Sequence, residues 1–168
     1  MKEGEMKKSW ILHLVLVPLV IFCFHGNVMA EDVWPFQLAL ITPAQVPSED
    51  TSIHGLRINI IYGSSENMIG FDFGLINRTR GDMKGFGFGL ANIVDGNASA
   101  WQFGFINYVG GQNVGLQTGF YNHSEKMRGF QFGAINTTRS LHGVQIGALN
   151  FNWSGEPLTF LPVINIGF

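Results

Sequence analysis

The chain has few charged residues and almost no cysteine. Of its 168 residues, 13% are Asp, Glu, Lys or Arg, the formal net charge is −2, and Cys23 is the single cysteine. Nucleic acids are bound through clustered Lys and Arg, and this sequence has neither a basic excess nor a run of like charges. We therefore expect no nucleic-acid partner. A single cysteine also excludes an intramolecular disulfide.

The sequence also lacks the residue spacings of catalytic and metal-binding sites. His54, His123 and His142 share no motif and have no acidic residue at a regular distance. A zinc site needs three or four convergent ligands, and a phosphate-binding loop needs a Gly-rich segment that opens a helix. Neither pattern is present. We predict that the protein is not an enzyme and that it has no catalytic, cofactor-binding or metal-binding residues and no cofactor.

The first thirty residues have the organisation of an export signal. Lys2, Lys7 and Lys8 precede an apolar run from residue 10 to residue 24, and Val28-Met29-Ala30 fits a signal-peptidase site. The run is short for a membrane-spanning helix. We predict that residues 1–30 are a cleaved signal peptide and that residues 31–168 form a single β-repeat domain, with an uncleaved anchor as the alternative for the first segment.

One eight-residue phrase recurs through the second half of the chain. Its six copies start 15, 15, 15, 14 and 14 residues apart. A fixed period of this kind indicates a repeated structural unit. The copies are Gly70–Asn77, Gly85–Asn92, Ala100–Asn107, Gly115–Asn122, Gly129–Asn136 and Gly143–Asn150.

Each phrase alternates between large apolar and small or polar residues, as Gly70-Phe-Asp-Phe-Gly-Leu75 shows. Strict alternation predicts a β-strand with two unlike faces, and the polar segments between phrases predict turns. Looser copies at residues 35–42, 55–62 and 163–168 bring the total to nine strand-like segments.

Two architectures can use this repeat, an antiparallel meander closed into a barrel and a β-solenoid in which each repeat is one rung. A small barrel holds about a dozen side chains inside, which is too few places for the apolar face. We therefore predict that this face points outward, toward lipid. In a solenoid, the polar segments between phrases are poor interior partners for Phe. We predict an all-β fold of about 8–10 repeated antiparallel strands closed into a small barrel, with a β-solenoid as the alternative.

The other face carries Gln at position 3 of the phrase, Gly at position 5 and Asn at position 8. We interpret the Gln residues as hydrogen bonding between neighbouring strands, with a polar lumen or a sugar-binding strip as the alternative. We interpret the glycines as room for neighbouring side chains, with a constricted pore as the alternative. The Asn residues are interpreted as turn caps. Arg57 and Asp72, both at position 3, are predicted to form a structural ion pair.

The phrase as a whole resembles a family of bacterial surface repeat-containing proteins with Gly-x-Gln-x-Gly-x-x-Asn repeats of 14–15 residues. The last segment, from Phe160 to Phe168, resembles the terminal strand of bacterial outer-membrane β-barrel proteins. These resemblances imply a cell-surface or envelope location and no known reaction.

The resulting prediction is an exported cell-envelope protein, a small outer-membrane β-barrel with a structural, surface-contact or narrow-channel role. Its expected location is the cell outer membrane, and its expected partners are outer-membrane lipid and the barrel-assembly machinery. The alternative function is that of a secreted β-solenoid adhesin or carbohydrate-binding surface protein.

Overall fold

In the computed structural model the chain winds into a β-solenoid of about six turns, which we call rungs. The structure describes residues 32–156 and 158–168, and the predicted signal peptide at residues 1–30 lies outside them. Glu31–Phe168 forms one compact unit. The strands are β1 (Val33–Ile41), β2 (Ala44–Val46), β3 (Ser52–Ser65), β4 (Met68–Thr79), β5 (Met83–Phe88), β6 (Ala91–Val94), β7 (Ala98–Phe103), β8 (Ile106–Asn152) and β9 (Phe160–Gly167).

Successive copies of the phrase lie on one another in parallel register. Gly70 pairs with Gly85, Gly85 with Ala100, and Ala100 with Gly115. Neighbouring strands of a sheet are about 4.8 Å apart, so each position of the phrase forms a column of similar side chains along the solenoid. The 14–15 residue period is thus the length of one rung.

The predicted antiparallel barrel is wrong, and the alternative, a β-solenoid, is confirmed. The repeats pair in parallel from β3 through β8. The prediction that the apolar positions point outward is correct. The barrel was predicted because the polar segments between phrases are poor interior partners for Phe. A solenoid does not have to bury Phe between its strands, however, when its polar side chains hydrogen-bond to one another in the interior.

Each rung has two extended segments joined by a bend at positions 5 and 6. β5 and β6 are the two segments of one rung, and Gly89 and Leu90 lie between them. First segments stack on first segments, as in β5 on β7, and second segments on second segments, as in β6 on β8. We call these stacks the first and second layers. They face each other across a thin interior.

Short antiparallel strands cover both ends of the solenoid. β2 pairs with β1 at the start, and β9 pairs with the last rung of β8 at the end. Pro43 and Pro47 flank β2, and Pro162 lies within β9. Because proline removes a backbone donor and a distorted edge resists further pairing, these strands end the stack. Val163 in β9, with φ of 70°, adds to this distortion.

The interior is mainly polar. Fully buried residues include Gln at position 3 and Asn at position 8, whereas most Phe side chains are on the outside. A small apolar cluster occupies the part of the interior next to the turns between rungs. Its members are Ile53, Met68, Met83, Val94, Ala98, Ala100 and Val109.

Candidate functional site

The most distinctive feature of the surface is a broad apolar face on the outside of the first layer. It consists of the residues at positions 2 and 4 and, along the bend, those at position 6. Phe88 is 55% exposed and Phe132 is 51% exposed, so half of each ring faces solvent. The members of this apolar face are Phe36, Leu38, Leu40, Ile58, Ile60, Phe71, Phe73, Leu75, Phe86, Phe88, Leu90, Trp101, Phe105, Phe120, Phe130 and Phe132.

Aromatic rings on this face stack along the solenoid. The ring centroids of Phe71 and Phe86 are 5.4 Å apart, and Phe86 meets Trp101 edge-on at 5.3 Å. Phe105 and Phe120 are 4.9 Å apart at the bend. These spacings follow from the parallel register and lie within the range of favourable ring pairs. The rings on this face therefore pack against their neighbours on the adjacent rungs.

A column of exposed residues borders the face where each phrase begins. It is formed by the residue just before each phrase and contains two cations, Lys84 and Arg128, and no carboxylate. Neither cation forms an ion pair with the residues that the structure describes, whereas Arg78, Arg80 and Arg139 all do. The column is His54, Ile69, Lys84, Ser99, Val114, Arg128 and His142, all exposed.

A ladder of Gln side chains supports the first layer from inside. The Nε2 atom of Gln131 donates to Oε1 of Gln117 at 2.7 Å, and Gln145 donates to Gln131 at 2.8 Å. The second Nε2 hydrogen crosses the interior to a second-layer carbonyl, as from Gln117 to His123 at 3.0 Å. Asn165 of β9 continues the ladder by donating to Gln145 at 3.1 Å. The Gln column thus joins neighbouring rungs and both layers.

A second ladder runs along the Asn residues at position 8. The Nδ2 atom of Asn92 donates to Oδ1 of Asn107 at 2.8 Å, and Asn107 donates to Asn122 at the same distance. The other Nδ2 hydrogen goes to the carbonyl at position 4 of the next rung, as from Asn107 to Thr118 at 3.0 Å. In-register stacking of identical amides is the device that stabilises steric zippers. Here it fills the interior with buried, paired amides.

The position-5 glycines make room for this second ladder. A Cβ atom on Gly104 would lie 2.5 Å from the carbonyl oxygen of Gly89 and 2.8 Å from Nδ2 of Asn92. Both are shorter than any normal contact, so a side chain there would push the rungs apart. The glycines serve close packing of backbone and amide, and the interior of the described solenoid is occupied by side chains rather than open as a channel.

The outside of the second layer carries a smaller polar aromatic patch. Tyr108 stacks on His123 with centroids 4.9 Å apart, and Nδ1 of His123 is 2.7 Å from the hydroxyl of Thr137. Burial lowers the pKa of His123 below its usual value of 6.5; Arg139 lowers it further and Glu125 partly opposes the change. The imidazole is therefore held mainly in its neutral form near neutral pH.

The structure separates the three histidines considered from sequence. His54 and His142 lie at opposite ends of the exposed column beside the apolar face, and His123 lies on the other layer. The residues that the structure describes contain no group of three or more His, Cys, Asp or Glu that could hold a metal ion. Within 32–156 and 158–168 no helix is long and apolar enough to cross a membrane.

The sequence interpretation was correct for some interior residues and wrong for others. The Gln residues hydrogen-bond between strands as predicted, and Arg57 and Asp72 form the predicted ion pair. The position-8 Asn residues, interpreted as turn caps, are instead buried and bonded to one another. The sequence signal for this ladder is that all six copies of the phrase have Asn at position 8. A turn cap tolerates Asp, Ser or Gly, whereas an amide ladder needs a donor and an acceptor on every rung.

No family model, curated protein or solved structure matches this chain.

Proposed function

We propose that the protein is an exported β-solenoid of the bacterial cell surface that acts as an adhesin, attaching to an extended partner through its apolar face. The single observation that carries this proposal is the row of half-exposed aromatic rings on one layer, Phe71, Phe86 and Trp101 among them. Large contiguous apolar patches on a folded protein mark interaction sites. The side chains of this face do not fill the interior of the solenoid, where the Gln and Asn ladders join the rungs.

The energetics favour coverage of this face. Fully burying a Phe side chain stabilises by about 1.5–3 kcal/mol, so covering a ring that is half exposed contributes about 1 kcal/mol. Many such rings act together on one face, and fixing them on binding costs little entropy because ring pairs such as Phe105 and Phe120 already stack. A broad apolar partner would therefore be bound through many weak contacts.

Export and location are part of this proposal. Support comes from the signal-like segment at residues 1–30 and from the resemblance of the phrase to bacterial surface repeat proteins. A cell outer-membrane or surface location fits both, and outer-membrane lipid is retained as a candidate partner. The barrel-assembly machinery was expected as a partner because of the barrel, and a solenoid gives no reason to retain it. The proposal assigns no catalytic activity.

Attachment can be measured by expressing the full chain in a Gram-negative host and washing the isolated envelope with buffer of physiological ionic strength. We expect wild-type protein to stay attached and the Phe88→Ser/Phe132→Ser variant to be released. The matched control is Ile93→Ser/Leu149→Ser, which changes two apolar residues on the second layer. Release of all three proteins alike would overturn the proposal, provided circular dichroism shows that each is folded.

Carbohydrate binding is the second candidate function, and the patch around Tyr108 and His123 favours it. Sugars stack on aromatic rings and hydrogen-bond to nearby polar groups, and this patch offers the exposed ring of Tyr108 next to the imidazole of His123. The apolar face has few polar groups of this kind. A glycan array probed with wild type and with Tyr108→Ala tests this candidate. Carbohydrate binding through this patch predicts that wild type binds a glycan on the array and that the variant does not.

A further inference from the structure

We propose that the occupant of the apolar face is the surface of an anionic lipid bilayer. This inference rests on the proposed attachment function and specifies its partner. Two properties carry the argument: the residue types of the face and the charges beside it.

The residue types suit a membrane interface better than a sugar or a polar protein. Positions 2, 4 and 6 carry Phe, Leu, Ile and Trp on the exposed members of the apolar face. From residue 70 to residue 148 every residue at these positions is apolar except Thr118, which is half-buried. Monotopic proteins bury apolar and aromatic side chains a short way into the boundary between headgroups and acyl chains. A face that offers so few hydrogen bonds suits this environment.

The charges beside the face select an anionic surface. Lys84 and Arg128 lie in the bordering column, exposed and without an ion-pair partner among the described residues, while Arg78, Arg80 and Arg139 are matched with carboxylates elsewhere. No Asp or Glu occupies the bordering column or the exposed positions of the face. Cations next to an apolar surface meet lipid phosphates when the rings insert.

The same charges disfavour a second copy of the chain as the occupant. Two copies meeting through this face would bring the exposed Lys84 and Arg128 of each copy to the edge of the interface, where the bordering columns supply no carboxylate. Cations of like sign that face each other there repel, which disfavours this pairing. A bilayer supplies the counter-charge in its headgroups and the apolar phase directly beneath them.

Sedimentation with lipid vesicles tests the inference on the purified protein. We expect tight binding to vesicles in which half of the lipid is phosphatidylglycerol and much weaker binding to vesicles of phosphatidylcholine alone. Each Lys or Arg near an anionic surface contributes about 1 kcal/mol, so Lys84→Gln/Arg128→Gln should lower the partition coefficient about 30-fold. Phe88→Ser/Phe132→Ser should lower it for both vesicle compositions.

Controls on the second layer match each variant. Ile93→Ser/Leu149→Ser removes two apolar side chains, and Ile93→Glu/Leu149→Glu changes the net charge by the same amount as Lys84→Gln/Arg128→Gln. Both should bind anionic vesicles within about twofold of wild type, since neither residue lies on the apolar face. A loss in these controls equal to that of the face variants would contradict docking through the first layer.

The outcomes separate this inference from the attachment function. If the Phe variant loses envelope attachment but wild type binds neither kind of vesicle, the partner is not lipid; the inference fails and the attachment function stands. If wild type forms dimers that Phe88→Ser/Phe132→Ser abolishes and does not bind vesicles, the occupant is a second copy. If the Phe variant keeps envelope attachment, the attachment function itself fails.

Discussion

The guanidinium of Arg57 and the carboxylate of Asp72 lie side by side on successive rungs, fully inside the solenoid. Nε of Arg57 donates to Oδ1 of Asp72 at 2.8 Å, and Nη2 donates to Oδ2 at 2.5 Å. Nη1 donates to Ser65 at 2.6 Å and to the carbonyl of Arg78 at 2.8 Å. The pair occupies two places in the column that holds Gln in each of the other rungs except that of Gly87, so one bidentate ion pair replaces a step of the amide ladder.

Removing one partner of this pair should be far worse than removing both. Asp72→Ala leaves a buried, unpaired guanidinium, and we expect it to lower the free energy of unfolding by about 3–5 kcal/mol. Arg57→Gln/Asp72→Gln restores amides to the column, where the first of them could donate to Oε1 of Gln37, an acceptor without a hydrogen-bond partner among the described residues. We expect the double variant to unfold within about 1 kcal/mol of wild type.

Urea unfolding of wild type, Arg57→Gln, Asp72→Gln and the double variant forms a double-mutant cycle that measures this coupling. A double variant as unstable as Asp72→Ala would show that residues 57 and 72 must be an ion pair and that amide side chains cannot replace them.

The buried amides should matter more for stability than the exposed rings. Asn107→Leu leaves a donor of Asn92 and an acceptor of Asn122 without partners at buried positions, and each unsatisfied group costs about 1–3 kcal/mol. Phe105→Ala, two residues away on the surface, removes a stacked ring and should cost about 1 kcal/mol. Equilibrium unfolding of both variants tests this order, and a larger loss for Phe105→Ala would contradict a polar core.

Close approach of the rungs at position 5 predicts that even a methyl group is too large there. Gly104→Ala places Cβ against the carbonyl of Gly89 and the amide of Asn92, and overpacking of this kind costs about 1–3 kcal/mol. Ser99→Ala on the exposed column is the matched control and should change stability by about 0.5 kcal/mol or less. Thermal denaturation followed by circular dichroism gives the stability of both variants. Equal stability of Gly104→Ala and Ser99→Ala would show that the rungs have room for a methyl group at position 5.

Stability should fall in mildly acidic solution in a way that depends on His123. Its pKa in the folded protein lies below 6.5 because of burial, so the unfolded chain binds the proton more readily. The contribution of neutral His123 is therefore complete above pH 6.5 and is lost as the pH falls from 6.5 toward the lowered folded-state pKa.

The difference in unfolding free energy between wild type and His123→Gln, measured across this pH range, isolates the effect. The difference should shift against wild type as the pH falls, since Glu125, Arg139 and Tyr108 surround the site in both proteins. A difference that does not change with pH would show that the imidazole titrates alike in both states.

Part of the architecture could be predicted from sequence because it depends on local periodicity. Alternation of Phe86 and Phe88 with Gly85 and Gly87 predicts a strand with unlike faces, and the number of large residues predicts that they point outward. The Arg57–Asp72 pair could be predicted from the shared position in the phrase. What could not be predicted was the direction of neighbouring strands, since alternation is the same in parallel and antiparallel sheets.

The sequence by itself determined the strand segments, the 14–15 residue unit, the outward orientation of the aromatic residues and the lack of any spacing typical of catalysis. Tertiary structure alone decided that the units stack in parallel. In that arrangement the equivalent residues Asn92, Asn107 and Asn122 lie next to one another, and each side-chain amide donates to the next. That stacking makes a polar interior stable. It therefore frees the apolar residues to form an exposed face, whose outward orientation local sequence indicated without distinguishing a barrel from a solenoid.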